Sequence, residues 1–190
     1  MHTYPYPRPA LTADIVLFGV SDEGEALRVL LVTRKNEPFQ GMRAFPGGFV
    51  NVSDDGDQGE PLIDAARREL KEETGLVVRG LHVIGLASAP GRDPRGRVIS
   101  VIHTGIVRLA EVFPQAGDDA ASVEWFAPAE GMALAFDHAE ILRNALCSLN
   151  SSLAVPENVH LLPKHLRISD IERLGSWMRA NPWFHEEGDL

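Results

Sequence analysis

Arg68-Glu69-Leu70-Lys71-Glu72-Glu73-Thr74-Gly75-Leu76 is the segment on which the reading of this 190-residue chain turns. Placed on a helix at about 100° per residue, Glu69, Glu72 and Glu73 fall within an arc of roughly 100°. Leu70, with Ala66 and Ile63 before it, faces an adjacent side, so the helix sets an acidic edge at the border of a core. Three like charges that close repel one another unless a cation neutralises them. Hard oxygen ligands of this kind select magnesium or manganese. A solvated acidic face is the plain alternative, and most glutamate-rich helices are no more than that. The surroundings favour the cation. Pro46-Gly47-Gly48 upstream would end a strand and let backbone come close, and Glu60, eight residues ahead of Arg68, is placed to brace it.

Outward from this helix, Pro61 suits its first turn and Gly75 its C-terminal stop. Residues 13–20 and 27–33 read as two strands of a hairpin, and 43–45 as a short third strand broken by Pro46-Gly47-Gly48. The acidic, glycine-containing segment 51–59 reads as a solvated loop. Further strands are expected at 81–87, 98–108 and 123–126. Asp137 is placed to cap a helix running to about Leu149, with Ile141, Leu142, Ala145 and Leu146 inward. A proline-interrupted connection, 151–163, leads to a last helix that Ser169 and Glu172 would cap, with Ile171, Leu174, Trp177 and Met178 along one side. Strands mixed with a few helices, without regular alternation, predict an α+β fold. We divide it as a domain at 1–150 and a helical extension at 151–190, packed on the domain or at a homodimer interface.

Composition narrows the function. Eighteen basic against 27 acidic residues give a formal charge of −9, which disfavours nucleic-acid backbones as partners. A small phosphorylated substrate stays possible, because a bound cation would supply the local positive charge. Cys147 is the only cysteine, so no intrachain disulfide forms and a reducing cytoplasm is the expected home. The first ten residues lack the pattern of a signal peptide, and no apolar run approaches the length of a membrane span.

The acidic helix and its approach resemble the Nudix box, G-x5-E-x7-R-E-U-x-E-E-x-G-U, in which U is a bulky aliphatic residue. Glu60, seven intervening residues, then Arg68, Glu69, Leu70, Glu72, Glu73, Gly75 and Leu76 match it. The departure is at the start, where eleven residues rather than five separate Gly48 from Glu60. The resemblance implies the Nudix fold over about 13–149, an α/β/α sandwich around a mixed sheet. It implies that Glu72 and Glu73 bind Mg2+ (or Mn2+) and that Glu69 is a further ligand or the base. The Gly47 carbonyl would join them, while Gly48, Glu60 and Arg68 would be structural. The reaction implied is attack of water on a phosphorus of a diphosphate.

The flanks bear on substrate. Ser88-Ala89-Pro90-Gly91-Arg92-Asp93-Pro94-Arg95-Gly96-Arg97 is similar to a segment of the ADP-ribose pyrophosphatase branch, in which Arg92 and Arg95 would grip diphosphate or ribose. Read without the resemblance, it is a solvated basic turn. Asp119, with Asp118 in reserve, is a candidate catalytic acid, or else part of a plain acidic turn. His138 is left outside the site, and Phe39, Phe49, Trp125 and Phe136 are stacking or core residues alike. The expected activity is hydrolysis of ADP-ribose or a related nucleoside diphosphate sugar, with no nucleic-acid or membrane partner. Two alternatives are carried. One is action on nucleoside triphosphates. The other is a transcriptional regulator in which a Nudix domain senses ADP-ribose, the tail at 161–169 resembling the start of a truncated winged helix.

Overall fold

In the computed structural model, which describes residues 5–22, 26–52, 59–117, 120–154 and 166–184, every residue from Thr12 to Val20 is buried. They belong to β1 (Ala10–Val20), the strand around which the rest is arranged. A strand covered on both faces needs a near-continuous apolar run rather than alternation, and Ile15-Val16-Leu17-Phe18 supplies it. Ala13, Ile15 and Leu17 pack on one side against Ala65, Ala66 and Leu70 of α1 (Leu62–Thr74). Val16, Phe18 and Val20 pack on the other against Ile141, Leu142, Ala145 and Leu146 of α2 (His138–Ala154). The result is the expected sandwich, a sheet between helices.

The sheet has seven strands. β2 (Leu27–Arg34) pairs antiparallel with β1, as the hairpin reading expects, and carries β3 (Arg43–Ala44) on its far side. β6 (Val98–Arg108) lies parallel to β1 over its whole length, from Ala10↔Val98 to Val20↔Arg108. β5 (His82–Ala87) forms the edge beyond β6, and β7 (Ala120–Phe126) pairs with β2. Parallel and antiparallel pairs therefore coexist, as a mixed sheet requires.

Three details differ from the sequence reading. Pro46 does not end strand structure: β4 (Gly47–Phe49) follows at once, paired antiparallel with β1. Proline has no N–H to give, but its carbonyl accepts the Ile15 N–H at 2.9 Å, so the chain passes from β3 to β4 without losing contact with the sheet. Asp137 stands at the start of α2 as expected, its carbonyl accepting the Glu140 and Ile141 N–H groups at 3.1 Å, but its carboxylate is turned to Arg92, both oxygens accepting from the guanidinium. The last helix, α3 (Ile168–Ala180), has Arg167 as its N-cap, two residues before the expected cap at Ser169. Asp170, fully buried, accepts the Arg167 N–H at 2.8 Å, and Ser169 lies inside the first turn. Leu174, Trp177, Met178 and the following Phe184 are buried in the core that α2 shares. No helix among the described residues is long and apolar enough to cross a membrane.

Candidate active site

α1 starts behind Pro61, whose φ of −59° is already helical, and stops at Gly75, whose φ of 72° only glycine adopts cheaply. Its buried face fixes the rotation of the helix, and that rotation turns Glu69 and Glu73 toward the Pro46-Gly47-Gly48 turn. Gly47 N–H donates to Glu73 Oε2 at 3.0 Å. A methyl group on Gly48 would stand 2.5–2.7 Å from atoms of the Glu69 carboxylate. One on Gly47 would stand 2.5 Å from the Ala13 carbonyl and 2.6 Å from Asp14 Oδ1. The two glycines therefore form a seat that any Cβ would fill.

Arg68 ties this edge together. Its guanidinium donates to Glu60 Oε1 and Oε2 at 2.5 and 3.0 Å, to Glu69 Oε1 at 2.7 Å, to Glu72 Oε2 at 2.9 Å and to the Phe49 carbonyl at 3.1 Å. Hydrogen bonding to Arg68 holds the Glu60 carboxyl below its ordinary range, while burial pushes Glu69 up. Glu60 also closes the long loop. Its carboxylate accepts the Asn51 N–H at 2.9 Å, its own N–H donates to the Asn51 carbonyl at 3.1 Å, and Val52 bridges to Gly59. Residues 53–58 lie outside the described residues, but both ends of the segment are clasped, so Gly48 and Glu60 stay close in space. This is why an insertion here leaves the helix and the glycine turn in register.

Beside this edge opens a cleft lined by residues of β1, β4 and β6 and by Arg92, Phe136 and His138. Its floor is polar: Asp14 from β1, and Ser100 from β6, whose hydroxyl meets Thr12 Oγ1 at 2.6 Å and accepts from Arg92 Nη1 at 2.6 Å. Burial pushes the Asp14 carboxyl up to about 6, against the opposing pull of Ser100 and Arg92. Burial alone would lower the Arg92 guanidinium, but its two bonds to Asp137, at 2.6 and 2.7 Å, keep it charged. The side wall carries Phe136 at a φ of 54°, with the Arg34 guanidinium 4.9 Å and the Arg95 guanidinium 5.6 Å from its ring centre. Arg95 also lies 4.9 Å from the centre of the Phe49 ring and is anchored by Asp93 at 2.7 Å. His138 is buried, accepts the Phe45 N–H at Nδ1 at 3.0 Å, and is lowered by that burial to about 3, so it stays neutral.

The residues expected from sequence thus divide. Gly47, Gly48, Glu69 and Glu73 meet at one edge; Glu60 and Arg68 brace it; Glu72 is more exposed, held by Arg68. Arg92 lines the cleft, but as a buried cation already bound to Asp137 and Ser100. Arg95 stands more openly at the wall. Asp118 and Asp119 lie outside the described residues; the segment before them is tied to the end of α1, Gln115 N–H donating to Thr74 O at 2.8 Å and Gly117 N–H to Glu73 O at 3.0 Å. Asp14, Ser100 and Arg34 were not singled out. One signal was available for Asp14: a charged residue inside the apolar run of a doubly covered strand.

Does the edge suit a divalent cation? Among the described residues no group of three His, Cys, Asp or Glu side chains stands ready to enclose one. Magnesium does not need such a cage, since it commonly takes one or two carboxylates and completes its shell with water and phosphate oxygens. Glu69 and Glu73 beside a turn free of Cβ atoms meet that demand, and their oxygens are the hard donors it requires.

Residues 9–147 match the family model described as the NUDIX domain. Over 139 residues the chain is 40% identical to an ADP-ribose pyrophosphatase of Methanocaldococcus jannaschii, covering 73% of this chain and 74% of that one. Over 174 residues it is 30% identical to the ADPR responsive transcriptional repressor NtrR of Acinetobacter baylyi, covering 89% of this chain and 66% of the repressor. The fold is similar to the crystal structure of a MutT/nudix family protein from Enterococcus faecalis, with a TM-score of 0.75, 30% identity, and coverage of 98% of this chain and 85% of that one.

Proposed function

The chain belongs to the Nudix family and is a pyrophosphohydrolase of it; on that premise we propose that it hydrolyses ADP-ribose, or a related nucleoside diphosphate sugar, to a nucleoside monophosphate and a sugar phosphate. The observation that carries this reading is the convergence of Glu69 and Glu73 on the Gly47-Gly48 seat at the edge of a cleft with a polar floor. The 40% identity to an ADP-ribose pyrophosphatase supports the substrate.

In this reading Glu69, Glu72, Glu73 and the Gly47 carbonyl hold Mg2+ or Mn2+. The bound cation would offset the charge of the diphosphate and polarise the attacking water. The protein's own groups do the rest. Glu69, raised by burial, takes the proton as the water oxygen bonds to phosphorus and the bridging P–O bond breaks toward the leaving phosphate. Asp119 is the second candidate for ordering that water. Arg68 keeps Glu69 and Glu72 in place, and Arg95 offers charge to the substrate's phosphates at the wall. The single cysteine and the composition favour the cytoplasm as its compartment.

A second reading, an ADP-ribose-sensing regulator, is favoured by one observation: the match to the Acinetobacter repressor extends over 89% of this chain, beyond the family domain. The net charge of −9 weighs against it. Both are tested together. With Mg2+, the pure protein should convert ADP-ribose to AMP and ribose 5-phosphate, and Glu73→Gln should lose two or more orders of magnitude in turnover while staying folded. It should give no mobility shift of duplex DNA at physiological salt. Full activity in Glu73→Gln, or a clear preference for nucleoside triphosphates, would refute the reading, and a shift at sub-micromolar protein would favour the regulator.

A further inference from the structure

We propose that Asp14 is a specificity-determining residue, the acceptor on the cleft floor that takes the vicinal hydroxyls of a ribose ring of the substrate. The inference rests on the functional reading above, which sets the diphosphate at the Glu69–Glu73 edge, and adds what the neighbouring floor recognises.

The location follows from the glycine seat. A Cβ on Gly47 would stand 2.6 Å from Asp14 Oδ1, while the same residue's N–H holds Glu73. Asp14 is therefore the first cleft carboxylate reached from the diphosphate edge, in the place where a sugar attached to that diphosphate must lie. Its chemistry follows from its neighbours. The floor around it carries the hydroxyls of Ser100 and Thr12, joined at 2.6 Å, and Ser100 is also hydrogen-bonded to the Asp14 carboxylate. The one cation there, Arg92, donates to both oxygens of Asp137 and to Ser100, and its side chain is only 4% exposed. Arg34 and Arg95 line the same cleft at Phe136, their guanidinium groups over its ring.

The floor around Asp14 sorts a substrate by charge. A phosphate brought to the floor would meet a carboxylate in a poorly solvated place, where like charges repel strongly. A vicinal diol instead donates two hydrogen bonds to it, the same chemistry by which a carboxylate holds a ribose in dinucleotide-binding folds. Serine and threonine hydroxyls beside it accept or donate as the sugar requires. A substrate with a ribose on each side of its diphosphate carries that diol twice, so the test must separate the two.

Steady-state kinetics are measured with ADP-ribose, with the analogue lacking the 2′-hydroxyl of the adenosine, and with the analogue lacking the 2-hydroxyl of the outer ribose. Wild type should lose roughly ten- to a hundred-fold in kcat/KM on one analogue and little on the other, as expected for a hydrogen bond to a charged group. The analogue that suffers identifies the ribose at Asp14. In Asp14→Asn, a nearly isosteric change, that ratio should collapse toward one. A wild type that discriminates less than about threefold against both analogues overturns the proposal without any variant, as does a ratio unchanged in folded Asp14→Asn. If ADP-ribose is not turned over, the functional reading alone falls, and the same ratios are read from calorimetric dissociation constants. If none of the three compounds binds, both fall.

Discussion

Replacing Asp137 with asparagine leaves the Arg92 guanidinium in place and takes away its charged partner. The structure sets the size of the effect. Arg92 is 4% exposed and Asp137 20%, and two hydrogen bonds of 2.6 and 2.7 Å join them. Breaking a buried pair by removing one member costs about 3–5 kcal/mol. Here the Ser100 bond survives, and the charges of Asp14 and Asp93 still favour the guanidinium, so the loss should be nearer to about 2–3 kcal/mol. For a chain of this length that corresponds to a fall of about 4–12 °C in Tm, readable by circular dichroism during heating. Removing both charges is the control. In Arg92→Met combined with Asp137→Asn no cation is left stranded, so the double variant should lose less than the two single changes together, by about 1–2 kcal/mol. Additive losses, or an Asp137→Asn protein within about 0.5 kcal/mol of wild type, would show that Arg92 is held by something other than this pair.

Two further predictions concern the same cleft. Gly48→Ala should lower kcat at least about tenfold with a stability change below about 1 kcal/mol, because the added carbon displaces the Glu69 carboxylate and touches no core; unchanged turnover would remove Glu69 from the site. His138→Gln should remove an acid-labile feature. With its folded pKa near 3 and an ordinary value of 6.5, His138 stays neutral in the fold while the unfolded chain takes up a proton, so stability falls as pH drops from 6.5 toward 3. Between pH 7.5 and 5 wild type should therefore lose about 2 kcal/mol relative to the variant in urea unfolding. Asp14, raised to about 6, acts in the opposite sense in wild type and variant alike, its contribution fading as pH rises through 6, and so cancels from the difference.

The acidic helix was legible because its information is local. The period of Ile63, Ala66 and Leu70 and the stop at Gly75 set its rotation, and rotation alone puts Glu69 and Glu73 on one edge. The strands of the sheet were legible for the same reason, as runs of β-branched and aliphatic residues. What escaped was everything created by two distant segments meeting. β4 follows a proline that local rules read as a break, and only β1 beside it makes the three residues a strand. Arg92 reads as a free basic residue until α2 brings Asp137 against it from 45 positions away. The expected cap at Ser169 falls two residues late because the buried Asp170 takes the capping role, held by Arg167 three residues before it and by Arg108 across the fold. Asp14 and Ser100 share a floor only because β1 and β6 lie side by side.

That side-by-side ladder has a cost in time. Each residue of β1 pairs with one 88 positions later, from Ala10↔Val98 onward, so the centre of the sheet cannot close until β6 has been made, and it encloses α1 within the loop it forms. At ribosomal rates of roughly 5–20 residues per second, about 4–18 s separate the emergence of the two strands. During that interval the most apolar strand of the protein has only β2 and β4 for company and leaves one edge open. Pairings of such high sequence separation also form slowly once available. The arrangement that gives the cleft its floor is therefore also the one that exposes the nascent chain to chance association, and the repulsion that keeps such chains apart comes from the acidic excess of the sequence.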